Sequence, residues 1–400
     1  MSELLAFPLS RTAPLAPPPA LAALREQGPA QQVQMWTGDP AWLVTRFEEV
    51  RAALSDANLT SDTTAPGYPT FSPARRAYFT TERDRIILLE GAEHAQLRRL
   101  VARALTVKKV EDLRPVVRNL ITSLLDDIIA KGPTTDLIQS FCLKIPSTVI
   151  CALLGIPYED HRIFEELTRK RVNINADPAE VVAASAAMKA HFEMRVRERE
   201  ESPTGGDDFL SRLVEEHIPA GTITRERAIK LMYELVEGGH ETTANVMGLG
   251  ILLLLTNPEQ LALLKANPDL VRPGVEEILR YTGVTHMAIS RAARGDTKIG
   301  DQEIKAGESV LLSIYAASHD PRAFLDPEKF EIDKGTRDHL AFSFGIHQCV
   351  GQQLARMELN EVFSTLFHRL PTLALAVPLD SLKFKLGSVV YGVESLPVTW

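Results

Sequence analysis

The run Phe342-Ser-Phe-Gly-Ile-His-Gln-Cys-Val-Gly351 constrains this chain more than any other segment. A helical pattern, QQLARMELNEVFSTL, follows it at once. That order predicts Cys349 at a helix N-terminus, where free backbone N–H groups and the helix dipole stabilise a thiolate. Gly345 and Gly351 would let backbone approach a flat ligand and adopt dihedrals closed to other residues. Bracketing by Phe342, Gly345, His347 and Gly351 argues against an inert core cysteine. Cys142 and Cys151, in FCLKIPSTVICALLGIP, sit in apolar company and are expected to be inert core residues.

Three cysteines are an odd, sparse set, which fits a reducing compartment better than a disulfide framework. A net charge of −8 offers no global basic field for nucleic acid. The opening residues, MSELLAFPLSRTAPLAPPPALAAL, lack the basic start and long apolar run of a signal peptide. The most apolar stretch, VMGLGILLLLTNP, is too short to span a bilayer. The expectation is a cytoplasmic chain with no membrane partner.

The pattern along the chain is α+β with helix in the majority. Residues 13 to 19 are a Pro-rich lead-in. QVQMWTGDPAWLVTRF alternates around a Gly-Asp-Pro turn and predicts a β-hairpin. Residues 57 to 90 show little periodicity and are expected to form a long irregular, functional loop. From Glu93 onward apolar residues recur at helical spacing. SPTGGDD (202 to 208) is a flexible break. The longest helical pattern runs from about Arg225 to Leu255, with Thr224 as N-cap and Asn257-Pro258 as its stop. PGVEEILRY is expected to be a helix with Pro273 at its first position. TKIGDQEIKAGESV predicts a second hairpin, and KFKLGSVVYGVESLPVTW is β-like.

Gly238-Gly239-His240-Glu241-Thr242-Thr243 falls in the middle of the longest helix. Two glycines there cost roughly 1 kcal/mol each. A Ser/Thr side chain bonded back to a helix carbonyl, or a π-bulge, would accompany a distortion at that point. Glu277 and Arg280, at i and i+3, share a helix face. His94 and Arg98, four apart, do the same.

The Phe342–Gly351 pattern resembles the heme-ligating loop of soluble, bacterial-type (class I) cytochromes P450, and the resemblance extends over nearly all of residues 1–400. It implies a single domain of the P450 fold, mainly α with small β-sheets: a triangular prism with a long central helix over the heme. It implies heme b with Cys349 as the iron ligand. Glu241 and Thr242 match the family's acid–alcohol pair, which relays protons during O2 activation. His94, Arg98, Arg291 and His347 match its propionate contacts, and Phe342, Gly345 and Gly351 belong to the heme-binding loop. Glu277 and Arg280 match a buried pair that holds this loop, with Lys329 at the third position, where arginine is common. The substrate pocket would draw on the 57–90 loop, parts of 160–195, the stretch Leu235 to Gly239 with Glu237 and Gly238 in it, Met287, Ala288, Ile289, Val389 and Val390. Relatives usually place an aliphatic residue at position 237. Glu237 would therefore contact a basic or hydroxyl-rich substrate, or be buried with an arginine.

The implied activity is insertion of one atom of O2 into a hydrophobic small molecule, by hydroxylation or epoxidation of a natural product such as a polyketide, terpenoid or steroid. Electrons would come from a ferredoxin or flavodoxin with its NAD(P)H reductase, since the cysteines are too few for a cluster of the chain's own. Docking candidates are Arg99, Arg103, Lys108, Lys109 and Arg356, and the working unit is expected to be a monomer. Rival readings are nitric oxide reductase, peroxygenase, a heme-binding sensor and, outside heme chemistry, Cys349 as a covalent nucleophile.

Overall fold

The computed structural model describes residues 4–400. Helices named below are α1 (Pro73–Thr81), α2 (Gly91–Ala104), α3 (His161–Val172), α4 (Arg225–Gly239), α5 (Glu241–Thr256), α6 (Val271–Thr282) and α7 (Gln352–Arg369). Strands are β1 (Ala30–Gln34), β2 (Pro40–Val44), β3 (Leu59–Thr60), β4 (Ile289–Ala293) and β5 (Ser309–Leu312).

The first hairpin forms as its alternation predicts: β1 pairs antiparallel with β2. Both join a five-stranded sheet in the order β1-β2-β5-β4-β3, with β2 and β5 parallel. The second hairpin is Thr297–Ile299 with Gln302–Ile304. The C-terminal stretch contributes a short strand, Pro397–Thr399, which pairs with Thr134–Asp136, and an isolated antiparallel bridge between Phe384 and Val393.

Thr224 caps the long helical pattern, its side chain accepting from the Arg227 N–H at 3.2 Å. Asn257 ends it, and Pro258 opens the next helix after a 103° bend. The pattern is not one continuous helix. It breaks at His240 (φ −87°, ψ −67°) between α4 and α5. The distortion falls directly after the glycine pair, where helical backbone is held least firmly.

α5 is buried around most of its circumference, as a helix apolar on all sides must be. It packs in the main core with α6, α7 and the helix Lys144–Leu154. Among the described residues no single helix is long and apolar enough to cross a membrane.

Two local expectations change. Residues 57 to 90 are not irregular throughout: α1 forms within them, capped by the Ser72 side chain, with Pro73 at its first turn. Its face is amphipathic, with Ala74, Arg75, Tyr78 and Phe79 inward, but an inward arginine hides the apolar period. The α6 helix begins at Val271, two residues before Pro273, because the turn at Pro268–Leu270 leads directly into it. It ends at Gly283 (φ 54°), where any Cβ would lie 2.1 Å from the Tyr315 ring.

Candidate active site

The Cys349 loop returns on itself: the Cys349 N–H donates to the Phe342 carbonyl at 2.8 Å. The next residues open α7, and the backbone N–H groups of Gly351 and Gln352 donate to the sulfur. The sulfur is deeply placed yet retains accessible surface. Burial raises its pKa on balance, although those two donors, Arg98 and Arg356 pull against it. Cys142 and Cys151 are different: both are buried, and burial pushes the Cys151 thiol up to about 12 and Cys142 further still. Gly345 occupies the left-handed region (φ 75°), and a Cβ there would meet the Leu54 carbonyl oxygen at 2.8 Å. Gly351 does not: its backbone is ordinary (φ −84°, ψ 4°), and a Cβ would stand 3.9 Å from the sulfur. The freedom argued for both glycines applies to Gly345 alone.

Four cationic or titratable groups gather around this loop. The His94 and His347 rings lie 4.7 Å apart. Arg98 donates to the Gln348 carbonyl. Arg291, on β4, is buried and, among the described residues, donates only to the neighbouring Ser290 carbonyl. Among the described residues neither arginine has a carboxylate partner. Burial lowers the His347 pKa, helped by Arg291, His94 and Arg98, to about 3. Two arginines without carboxylate partners and two uncharged imidazoles, gathered beside a helix N-terminus, fit a flat, dianionic, thiolate-ligated group.

At the helix break, the Thr242 hydroxyl donates to the Gly238 carbonyl at 2.6 Å. This is the back-bonded side chain expected beside the glycines. Glu241 is buried, with Lys385 Nζ 3.0 Å from its carboxylate. His240 is also buried, 3.5 Å from Glu165.

Glu277 and Arg280 pair as their spacing predicts, through Nε–Oε2 at 2.8 Å and Nη2–Oε1 at 2.7 Å. The third position departs from expectation. The Lys329 side chain is exposed and pairs with Asp326, so its ammonium takes no part. Its backbone carbonyl, with those of Ser318 and Pro327, accepts from Arg280 instead. Arg356 also departs: it is buried against Glu276 and is no docking residue. Arg99, Arg103 and Lys108 are exposed, and Lys109 pairs with Asp207.

The pocket candidates divide. Met287 and Ala288 are nearly buried, in a cluster with Phe71, Tyr315 and the half-buried Val389. Leu235 and Val390 pack on the main core, and Ile289 on a third cluster. Gly238 is exposed. The Glu237 carboxylate lies 3.1 Å from both Arg85 and Arg171 and accepts from the Tyr78 hydroxyl at 3.2 Å. That is the buried-arginine alternative, not a carboxylate awaiting a basic substrate. Arg75, Arg85, Arg171 and Glu82 were not singled out as site residues. For all but Arg171 the signal was the charge-dense SPARRAYFTTERDR inside a segment read as a loop.

The cytochrome P450 family model matches residues 67–384. Cytochrome P450 105A3 of Streptomyces carbophilus is 38% identical over 397 residues, 99% of this chain and 96% of that protein. Pentalenic acid synthase of Streptomyces avermitilis is 38% identical over 400 residues, 100% of this chain and 98% of that protein. The crystal structure of mycinamicin VIII C21 methyl hydroxylase from Micromonospora griseorubida superposes with a TM-score of 0.93 at 34% identity. It covers 99% of this chain and 100% of that one. A sulfur held at a helix terminus, a cationic cradle beside it and a broken helix that carries an acid and an alcohol agree with these likenesses. The chain belongs to the cytochrome P450 family, and it is a heme-dependent monooxygenase.

Proposed function

We propose that this chain hydroxylates or epoxidises a hydrophobic natural product of the polyketide, terpenoid or steroid kind. Its whole length works as one domain and as a monomer in the cytoplasm. The observation that carries the reading is the Cys349 sulfur under two backbone N–H donors, with Arg98 and Arg291 nearby and neither paired with a carboxylate among the described residues. Heme b, bound with Cys349 as its ligand, would supply O2 activation favoured by thiolate donation. His94, Arg98, Arg291 and His347 would hold the propionates. Gly345, Phe342 and Gly351 would shape the loop beneath the ring.

The protein's own contribution is orientation, proton supply and exclusion of water. Glu241, tied to Lys385, would exchange protons with solvent, and the Thr242 hydroxyl would carry them to the break in the helix. The hydrophobic residues at 235, 287–289 and 389–390 suit an apolar ligand. Family members of bacterial type use redox partners. A ferredoxin or flavodoxin with its NAD(P)H reductase would dock near Arg99, Arg103 and Lys108, whose charge acts mainly on association rate.

The test is the absorption spectrum of the reduced, CO-bound holoenzyme. A Soret band at the thiolate position, absent in Cys349→His, is expected. A band at the imidazole position in the wild type would overturn the reading. Turnover with ferredoxin, O2 and NADPH separates monooxygenase from peroxygenase, which would run on H2O2 alone.

A further inference from the structure

Four side chains around the helix break each have a partner. The Thr242 hydroxyl donates to the Gly238 carbonyl at 2.6 Å, and Glu241 pairs with Lys385 at 3.0 Å. The other two, Glu237 and His240, flank the glycine pair, and α3 holds both. Arg171, at the C-terminal end of α3, lies 3.1 Å from the Glu237 carboxylate. Glu165, nearer the start of α3, lies 3.5 Å from His240 Nε2. Two contacts from one helix thus straddle two glycines, which offer no side chain of their own to hold.

α3 is itself tied down. The Val389 N–H donates to the Val172 carbonyl at 3.0 Å, and the Ile174 N–H donates to the Gly387 carbonyl at 2.8 Å. Lys385, the partner of Glu241, belongs to that same segment. The break therefore sits inside a closed frame, with α3 on one side, residues 385–389 on the other, and backbone bonds between the two.

His240 is only 2% exposed, and its ring meets Phe164 edge to face at 5.5 Å. Among the described residues neither ring nitrogen makes a hydrogen bond. A buried polar group is costly until it finds a partner, and Glu165 is the carboxylate within reach. Glu165 gains from the same contact. Burial works to raise its pKa, but His240, Ser147 and His161 outweigh burial and hold it below its usual value, His240 most strongly. The Ser147 hydroxyl stands 2.9 Å from Glu165 but has one proton, for which the Leu143 carbonyl competes at 2.7 Å.

We propose that His240 and Glu165 are positioning residues for the acid–alcohol pair. The proposal rests on the monooxygenase reading above. Drawn toward Glu165, the imidazole fixes the direction in which the chain leaves the glycines. That direction sets where the next two residues, Glu241 and Thr242, stand. His240 and Glu165 act through those two and not on the reacting atoms. If His240 only fills space beside Phe164, the Glu165 charge is irrelevant.

The test is the infrared C–O stretch of the reduced, CO-bound holoenzyme, which responds to polar groups beside the ligand and needs no substrate. Thr242→Ala sets the shift that follows loss of the hydroxyl. Glu165→Gln removes a charge at nearly constant volume on a different helix, and it should shift or split the band. His240→Phe, which keeps a ring beside Phe164, should do the same. Glu165→Asp should keep more of the wild-type band than Glu165→Gln. In a Thr242→Ala background Glu165→Gln should add no further shift, because its effect runs through that hydroxyl. Hydrogen exchange of the 239–244 amides should quicken about ten-fold in Glu165→Gln. An unshifted band in Glu165→Gln overturns the proposal. A Glu165→Gln shift that persists in full in the Thr242→Ala background overturns it too. A wild type whose Soret band is not at the thiolate position overturns the heme-thiolate reading instead, and the positioning role then stands or falls on the exchange rates.

Discussion

Arg356 reaches from α7 to Glu276 on α6 with a two-point fork, Nε at 2.7 Å and Nη2 at 2.9 Å. His339, just before the cysteine loop, joins the same carboxylate at 3.1 Å. The next residue, Glu277, holds Arg280, whose other donors hold the Ser318 and Pro327 carbonyls. Adjacent acids on one helix thus anchor the chain on both sides of Cys349. Removing one partner of a buried pair strands the other, at a cost of about 3–5 kcal/mol. Glu276→Gln should lower the unfolding free energy by that amount, seen as a lower urea midpoint, and loosen the heme, read as a loss of thiolate-type CO spectrum. A midpoint unchanged from wild type would show that the fork contributes nothing.

The same carboxyl predicts an acid sensitivity. Burial works to raise the Glu276 pKa, but hydrogen bonds from His339 and Arg356 outweigh it and hold the group at about 2, below its usual 4.5. A depressed acid stabilises the fold fully above its unfolded value and loses that contribution as pH falls through the folded one. The window runs from about 4.5 down to 2, and the contribution is about 3 kcal/mol. The stability difference between wild type and Glu276→Gln should shrink across that window. A constant difference would refute it.

Thr242 bonds the Gly238 carbonyl across the helix break. Thr242→Ala frees that carbonyl and removes the hydroxyl that would pass protons. Product formed per NADPH consumed should fall by about ten-fold or more, with NADPH oxidation persisting. Thr242→Ser should keep most of the coupling. Full coupling in the alanine variant would remove Thr242 from the proton route.

Much of this was legible because some spacings translate directly into geometry. The i, i+3 interval places Glu277 against Arg280, and a cysteine ahead of a helical pattern places its sulfur under free N–H groups. The break at His240 was readable as a glycine pair, but its location one residue later was not. Long-range ionic partners stayed hidden. Nothing in the local pattern tells Arg356 to turn inward to Glu276, 80 residues away. Arg75 hid α1, since a buried cation breaks the apolar period that marks an inward face. Lys329 fails in a different way: its position is right, but backbone carbonyls do the work assigned to its side chain.

Glu237 offers the sharpest contrast between the two ways its charge could be used. Burial opposes its ionisation, but Arg171, Arg85 and Arg75 outweigh burial and lower its pKa. Its charge is therefore committed to α3, to α1 and to the segment after α1. Glu237→Gln keeps an oxygen for the Tyr78 hydroxyl but leaves Arg85 and Arg171 short of an anion. Destabilisation of about 3–5 kcal/mol is expected. A cycle with Arg85→Gln should show non-additivity of about 1 kcal/mol or more, because the two side chains touch. If Glu237 instead received a basic ligand, the single variant would keep its stability and lose affinity for amines alone. Urea unfolding of both single variants and the double variant separates these outcomes.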